Sequence, residues 1–234
     1  MIDLHSHILP GIDDGAPDID VSVRMCEWLA SQGVTDVVAT PHYVDETDYT
    51  VPATRNATSV AKITEILAKN GIKLNIYLGN EIYICNEIEK LLRSGEITGL
   101  NGSKYLLIEL PMSGEYPNYL DIFLELMQHG YNVVLAHPER YESFKEDFSL
   151  IEELQEAGVL FQCNLGSLVG RYGKKARKTL VKMLKNKMVF GFGSDLHRPG
   201  STDYLIEAKK KLAKYCDSSE LDDLLVRNPA SILF

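Results

Sequence analysis

Histidines and carboxylates recur in this chain wherever an apolar, β-branched run stops. His5 and His7 close MIDLHSH, His42 closes VTDVVATPH, Glu81 closes IKLNIYLGNE and Glu109 closes KYLLIE. His137 follows YNVVLA, and Asp195 with His197 follows VFGFGS, so five of the six histidines belong to one series. Imidazoles mixed with carboxylates are the ligands that borderline divalent metals take. Repeated along a whole chain, they suit hydrolysis at a cluster of several ions.

The spacing indicates the elements that must position these groups. Successive strand ends lie 37 residues apart (5 to 42), then 39 (42 to 81), 28 (81 to 109), 28 (109 to 137) and 58 (137 to 195). A strand, loop and helix unit takes about 30 residues, so the longest step should hold one more unit. GVLFQCN, ending at Asn164, reads as its strand and KKARKTLVKMLKNK as its helix. Strands are expected at 1–6, 34–40, 72–79, 104–109, 131–136 and 188–193 besides that one, with helices at 53–70, in the short stretch NEIEKLLRSG, and at 118–129, 147–157, 202–215 and 218–226. Another helix should run from an N-cap at Asp18 to about Gln32, with Gly33 as its stop. Seven strands, each followed by a helix, predict one α/β barrel over residues 1–234. Groups at the C-terminal ends of its strands would converge on one face.

Composition agrees with one large-cored domain: 234 residues, 45% hydrophobic, with no linker-like stretch. A formal net charge of −9 disfavours general binding of nucleic acid or anionic membranes. Cys26, Cys85, Cys163 and Cys216 are scattered without a CxxC pair, which points to a reducing compartment. Met1 leads almost directly into the first strand, leaving no room for a signal peptide, and no apolar run approaches 18 residues. A soluble, cytoplasmic protein is expected.

His5 and His7 stand at i and i+2 of a strand, so both rings reach one face and can hold one ion. Asp195 and His197 repeat that geometry at the far end of the chain. In a closed barrel the first and last strands are neighbours, so the two dyads should meet. Glu81 and Glu109 end apolar strands, where a carboxylate is costly unless paired or metal-bound. Glu81 is the candidate bridge between two ions about 4 Å apart. His42 and His137 each adjoin a proline that restricts the local backbone. His129, at a helix end, reads as structural. Asp13 and Asp14 precede a glycine, which is also ordinary turn chemistry. One is expected to be a ligand and the other to orient a ligand or transfer a proton, with Asp14 a candidate proton donor. About nine ligand groups would suit three ions.

Arg140, three residues past His137, can offer a bidentate grip to a phosphoryl group, and Arg198 is a second candidate. Arg171, Tyr172, Lys174 and Lys175 follow the sixth strand. They either receive an acidic, phosphorylated peptide or form a solvated helix start. The chemistry these groups suggest is phosphomonoester hydrolysis by a hydroxide activated between two cations. A phenolate leaving group, with pKa near 10, would need less acid assistance than an alkoxide.

The opening HxH and closing DxH resemble the polymerase and histidinol phosphatase (PHP) family over the whole chain. DLHSHILPGIDDGAPD, TPH, GNEIY, IEL, AHPER, NLGSLVGRYGKKA and GSDLH are similar to its branch of bacterial tyrosine phosphatases from capsule and exopolysaccharide loci. The resemblance implies a distorted (β/α)7 TIM-like barrel and three divalent ions, manganese first, with iron, zinc or magnesium as alternatives. It implies a tyrosine-phosphorylated protein as substrate, a bacterial tyrosine kinase with a tyrosine-rich tail. His5, His7, Glu81 and Asp195 would hold one ion, and Glu81, Glu109 and His137 a second. His42, His197 and a loop carboxylate would hold the third. Asp13 falls at that loop position by counting, with Asp14 beside it. DLHRPGS is shorter than the family segment that carries a second phosphate-binding arginine, and Arg198 would be its shifted equivalent.

Three rivals remain. Histidinol-phosphate phosphatase shares the cluster, but short loops and the DDG variant lean against it. The acidic charge and lack of further domains disfavour a nuclease or phosphodiesterase. A non-catalytic module would show broken ligand positions, and none is broken. A cysteine-dependent phosphatase is excluded, since no cysteine is followed six residues later by arginine.

Overall fold

The computed structural model describes residues 1–114, 116–200 and 202–234. Nine strand segments occur among them: β1 (Ile2–Ser6), β2 (Asp36–Ala39), β3 (His42–Tyr43), β4 (Asn75–Leu78), β5 (Glu81–Tyr83), β6 (Tyr105–Glu109), β7 (Asn132–Ala136), β8 (Leu160–Asn164) and β9 (Gly191–Gly193). Every pairing is parallel, in the orders β1-β2-β4 and β3-β5-β6-β7-β8-β9. Two expected strands are each followed closely by a second, short segment. Within 34–40 the strand is β2, ended before Pro41, which has no N–H to give to the ladder, and β3 lies in the stretch expected as a loop. Within 72–79 the strand is β4, and β5 follows beyond Gly79-Asn80, at a point where a Cβ on Gly79 would lie 2.9 Å from Leu100.

The result is a curled, all-parallel α/β sheet whose first and last segments are neighbours. Asp195 N donates to the His5 carbonyl at 2.9 Å and His7 N to the Leu196 carbonyl at 3.0 Å. A single parallel bridge joins Ser6 to Leu196. Connections between parallel strands run through helices, as they must. Asp18 caps the helix Ile19–Ser31 by accepting from Val21 N at 2.8 Å, and Ala53–Lys69, Tyr119–Gln128, Ser149–Glu156 and Gly173–Lys185 lie where the periodicity puts them. The helix expected at 218–226 ends at Asp222, loosens into a π turn over Asp223–Arg227, and resumes as Asn228–Leu233.

Period-two alternation separates two apolar cores. Leu106 and Ile108 of β6, Val133 and Leu135 of β7, and Phe161 and Cys163 of β8 pack with the helices. Leu107, Val134 and Ala136 face the other way and meet Leu4, Val38, Ile232 and Leu233 in a second core. Glu109, Gln162 and Asn164 continue that inner face toward the strands' C-terminal ends. All four cysteines are free thiols, with Cys26 and Cys163 buried. No described helix is long and apolar enough to cross a membrane.

Candidate metal centre

The strand ends converge on Glu81. Its Oε2 lies 3.1 Å from His5 Nε2, 3.2 Å from His7 Nε2 and 3.0 Å from His42 Nδ1. Its Oε1 sits 2.8 Å from His137 Nε2. Asp195 Oδ1 approaches His5 Nε2 at 3.7 Å and His7 Nε2 at 3.5 Å. Glu109 lies 3.6 Å from His42 Nδ1 and 3.7 Å from His137 Nε2. Backbone strain marks two of these groups: His137 (φ 34°) and Asp195 (φ 51°) occupy left-handed conformations without being glycine. His129, expected to be structural, stands outside the cluster with Nδ1 3.1 Å from Glu89.

The two loop aspartates separate clearly. Asp13 is fully engaged: Oδ2 accepts from His7 Nδ1 at 2.8 Å and from His42 N at 3.0 Å, and Oδ1 from Gly15 N at 2.9 Å. Asp14, not Asp13, carries the oxygen that faces His197 Nε2 (3.4 Å) and His42 Nε2 (3.7 Å). Counting residues pointed to Asp13 as the ligand; turn geometry places it behind His7 instead. Arg198 is tied to this same loop. Its Nη1 donates to the carbonyls of Asp14, Gly15 and His197, binding this loop to the chain's last strand end.

The donor set fits cations. Gln162 Nε2 donates to the Cys163 carbonyl at 2.8 Å and to Asn164 Oδ1 at 3.1 Å, which turns its Oε1 toward His5 Nδ1 at 2.8 Å. His5 Nδ1 must therefore donate, and the carboxylate of Asp13 asks the same of His7 Nδ1. Both Nε2 atoms are then left as lone pairs, only 3.1 Å apart. Lone pairs at that distance need a proton or a metal ion between them. Glu81 Oε2 and His42 Nδ1 are buried without a hydrogen bond. One nitrogen or carboxylate oxygen from each of His5, His7 and Glu81 lies within 4.8 Å of the others, as for His42, Glu81 and Glu109, and for His7, Asp14, His42 and His197.

Electrostatics divide the same residues. Burial disfavours charge on His5, but Glu81 and Asp195 outweigh it and raise its pKa. Burial would raise Glu81, yet His5 and His42 hold it well below the ordinary range. Burial and the neighbouring Glu81 push Glu109 up to about 8. Burial drives His137 down to about 4, against the pull of Glu81, so this imidazole stays neutral and free to coordinate. Asp13 drops to about 2: burial opposes ionisation, but the His7 hydrogen bond and charge prevail.

Around these side chains lies a polar layer that spacing alone does not reveal. Asn164 Nδ2 donates to Asp195 Oδ2 at 2.7 Å. Buried Glu139 accepts from Asn164 N at 2.9 Å and from Ser167 Oγ at 2.7 Å. A Cβ on Gly193 would lie 2.5 Å from His5 Cβ and 2.8 Å from Gln162 Nε2, so only glycine permits this approach. The one signal for Gln162 and Asn164 was two amides at i and i+2 in an otherwise apolar strand. Arg140 forms an ion pair with Asp195 and lies 4.4 Å above the Tyr172 ring. Beside them a groove of about 420 Å³ runs past Arg171, His197 and Tyr204.

Comparison with known proteins agrees with this geometry. The family model described as capsular polysaccharide synthesis, CpsB/CapC, matches residues 1–234. The tyrosine-protein phosphatase YwqE of Bacillus subtilis is 33% identical over 235 residues, covering 100% of this chain and 91% of that protein. A solved structure described with YwqE of B. subtilis and CpsB of Streptococcus pneumoniae, as metal-dependent tyrosine phosphatases, superposes with a TM-score of 0.93 at 32% identity, over 100% of this chain and 94% of the other. Histidinol phosphate phosphatase of Lactococcus lactis shares the fold alone, with a TM-score of 0.60 at 15% identity over 91% and 92% of the two chains. With its whole length matched and its strand-end residues gathered in one place, the chain belongs to the CpsB/CapC family.

Proposed function

We propose that this chain is a metal-dependent protein-tyrosine phosphatase. The observation that carries the reading is the convergence of four imidazoles on the single buried carboxylate of Glu81. Three divalent ions, manganese first, would be held in the sets His5–His7–Glu81–Asp195, Glu81–Glu109–His137 and His42–His197–Asp14. Asp14 replaces Asp13 in the third set, and Asp13 fixes the tautomer of His7. When bound, the ions lower the pKa of water and offset charge on phosphoryl oxygens. The frame is a distorted (β/α)7 barrel closed between its first and last strands, in a cytoplasmic, single-domain protein.

The remaining roles fall to this chain's own side chains. Arg140 stands over Tyr172 with only part of its fork used on Asp195, leaving N–H donors for equatorial oxygens. Asp14 is held deprotonated by the His197 hydrogen bond, which suits a ligand better than a proton donor. A phenolate departs with little acid assistance, so phosphotyrosine tolerates that arrangement. Arg198 keeps Asp14 in reach of His197 by bonding the loop's carbonyls. The substrate is a tyrosine-phosphorylated protein, in line with the names of the relatives, and we place it in the tail of a bacterial tyrosine kinase of polysaccharide export.

Phosphate release from a phosphotyrosyl peptide and from histidinol phosphate, compared with one manganese-loaded preparation, tests this. Preference for the peptide, abolished by chelation, is expected. Preference for histidinol phosphate would overturn the substrate assignment, and turnover insensitive to chelators would overturn the metal assignment.

A further inference from the structure

The groove beside Asp195 and His197 holds three arginines in a chain of net charge −9. Their situations differ. Arg140 is paired with Asp195, and Arg198 has its Nη1 committed to backbone carbonyls. Arg171 has neither kind of partner among the described residues. Its guanidinium lies 4.2 Å over the ring of Tyr204. Tyr204 is itself fixed: it is buried, and its ring centroid is 5.1 Å from that of Trp28. Gly200 packs closely on Trp28, where a Cβ would fall 2.0 Å from the indole.

Trp28, Tyr204 and Arg171 thus lie one against the next, with the exposed cation outermost. With no side-chain hydrogen-bond or ion-pair partner among the described residues, the guanidinium keeps its N–H fork available, in a shape that matches a carboxylate. Holding the fork in place beforehand removes part of the entropy cost of using it. The next residue, Tyr172, has its hydroxyl 3.4 Å from Asp195 Oδ2, so the stack sits directly beside the metal ligands. An extended peptide advances about 3.3 Å per residue, which brings a neighbouring side chain within reach of this position.

We infer that Arg171 is a specificity residue, receiving the carboxylate of an aspartate or glutamate one or two positions from the phosphotyrosine. The inference rests on the phosphatase reading above. It differs from the roles of Arg140 and Arg198, because it concerns the residue beside the phosphotyrosine and not the phosphoryl group.

Two phosphotyrosyl peptides, identical except for aspartate or lysine flanking the phosphotyrosine on both sides, provide the test. The ratio of their kcat/KM values corrects itself for any loss of folded enzyme. For the natural protein it should favour the aspartate peptide by about fivefold or more, as expected for one well-placed, partly exposed charge pair. Arg171→Gln should bring the ratio near one, and Arg171→Glu should invert it. A ratio near one in the natural protein, or one unchanged by Arg171→Glu, would overturn the assignment. Trp28 is the only tryptophan, and it underlies the stack. Its emission can therefore follow binding of the same peptides carrying a non-hydrolysable phosphonate. Should neither phosphopeptide be hydrolysed, the phosphatase reading fails and this titration decides alone. Tighter binding of the aspartate peptide, lost in Arg171→Glu, supports the site, and equal binding of both overturns it.

Discussion

The inner face of the curled sheet has two ends, equally buried and chemically opposite. At one end Leu4, Val38, Leu107, Val134 and Ala136 meet Ile232 and Leu233 from the C-terminal helix. At the other, His5, Glu81, Glu109, His137 and Asp195 fill the space. The change takes one or two residues: Leu4 precedes His5, Leu107 is two before Glu109, and Ala136 precedes His137. The apolar end needs only close packing, because burying hydrocarbon is favourable in itself. The polar end is incomplete as protein alone, with imidazole lone pairs facing each other and a carboxylate oxygen left without a donor. One end of the sheet therefore supplies stability, and the other spends it on a charged site that cations would complete.

The largest effect should come from removing the group on which the polar end is centred. Glu81→Ala is expected to lower kcat/KM for an aryl phosphate by about a thousandfold, since losing several kcal/mol of metal-supplied stabilisation costs a factor of ten per 1.36 kcal/mol. Circular dichroism should show the fold retained. Activity within tenfold of the natural protein would break the comparison, because the polar end would then need no central carboxylate.

At the opposite end, Leu107→Ala should cost about 2–5 kcal/mol in denaturant unfolding, the usual cost of a cavity in a close-packed core. Bound metal, measured by elemental analysis, should stay constant per folded molecule. Loss of metal along with stability would mean that the two ends are not separable.

Between these extremes lies the support of single ligands. Gln162→Leu removes the acceptor that fixes the His5 tautomer, and such supports are worth about 10–100-fold in metal affinity. Competition with a chelator measures this directly. Gln162→Glu, which keeps an acceptor on His5 Nδ1, should restore most of the affinity. Unchanged affinity in the leucine variant would leave Gln162 as ordinary packing.

Much of this contrast is legible in the sequence, for a physical reason. A charged or imidazole group at the end of an apolar strand is costly without a partner, so a series of them stands out against the hydrophobic pattern. The seven-unit rhythm is equally visible, because each parallel return needs its own helix. Less visible are features decided by a single turn. Both Asp13 and Asp14 precede Gly15, and only the folded loop shows that Gly15 N and His7 Nδ1 capture Asp13. Pro41 marks the end of β2, but β3 is only two residues, His42–Tyr43, too short for an apolar pattern to show. Gln162 and Asn164 carry no charge, so the cost of burying them does not stand out, although their spacing puts both on the inner face.

Asp3 sharpens the comparison once more. Like Asp195 it is a buried carboxylate at the seam between β1 and β9, but no imidazole ring bonds it. It accepts from the backbone N–H groups of Ser194 (2.8 Å) and His5 (3.2 Å), and its Oδ2 has no partner. Burial pushes its pKa up to about 6, against those hydrogen bonds, whereas His5 and His7 hold Asp195 far below the ordinary range despite its burial. A folded-state pKa above the ordinary 3.8 means that the native protein binds this proton more tightly than the unfolded chain. Asp3 therefore costs nothing below about pH 4, and its penalty grows as pH rises, reaching full size above about 6. Asp3→Asn keeps the Oδ1 acceptor and carries no charge to bury. The stability difference between the two proteins, measured from pH 4 to 8, should widen in favour of asparagine from about pH 4 to 6 and then level, by about 2–3 kcal/mol. Taking the difference cancels the titration of groups that do not couple to Asp3. A flat difference would show that Asp3 is as well compensated as Asp195, and that the polar end extends further down the seam than the hydrogen bonds indicate.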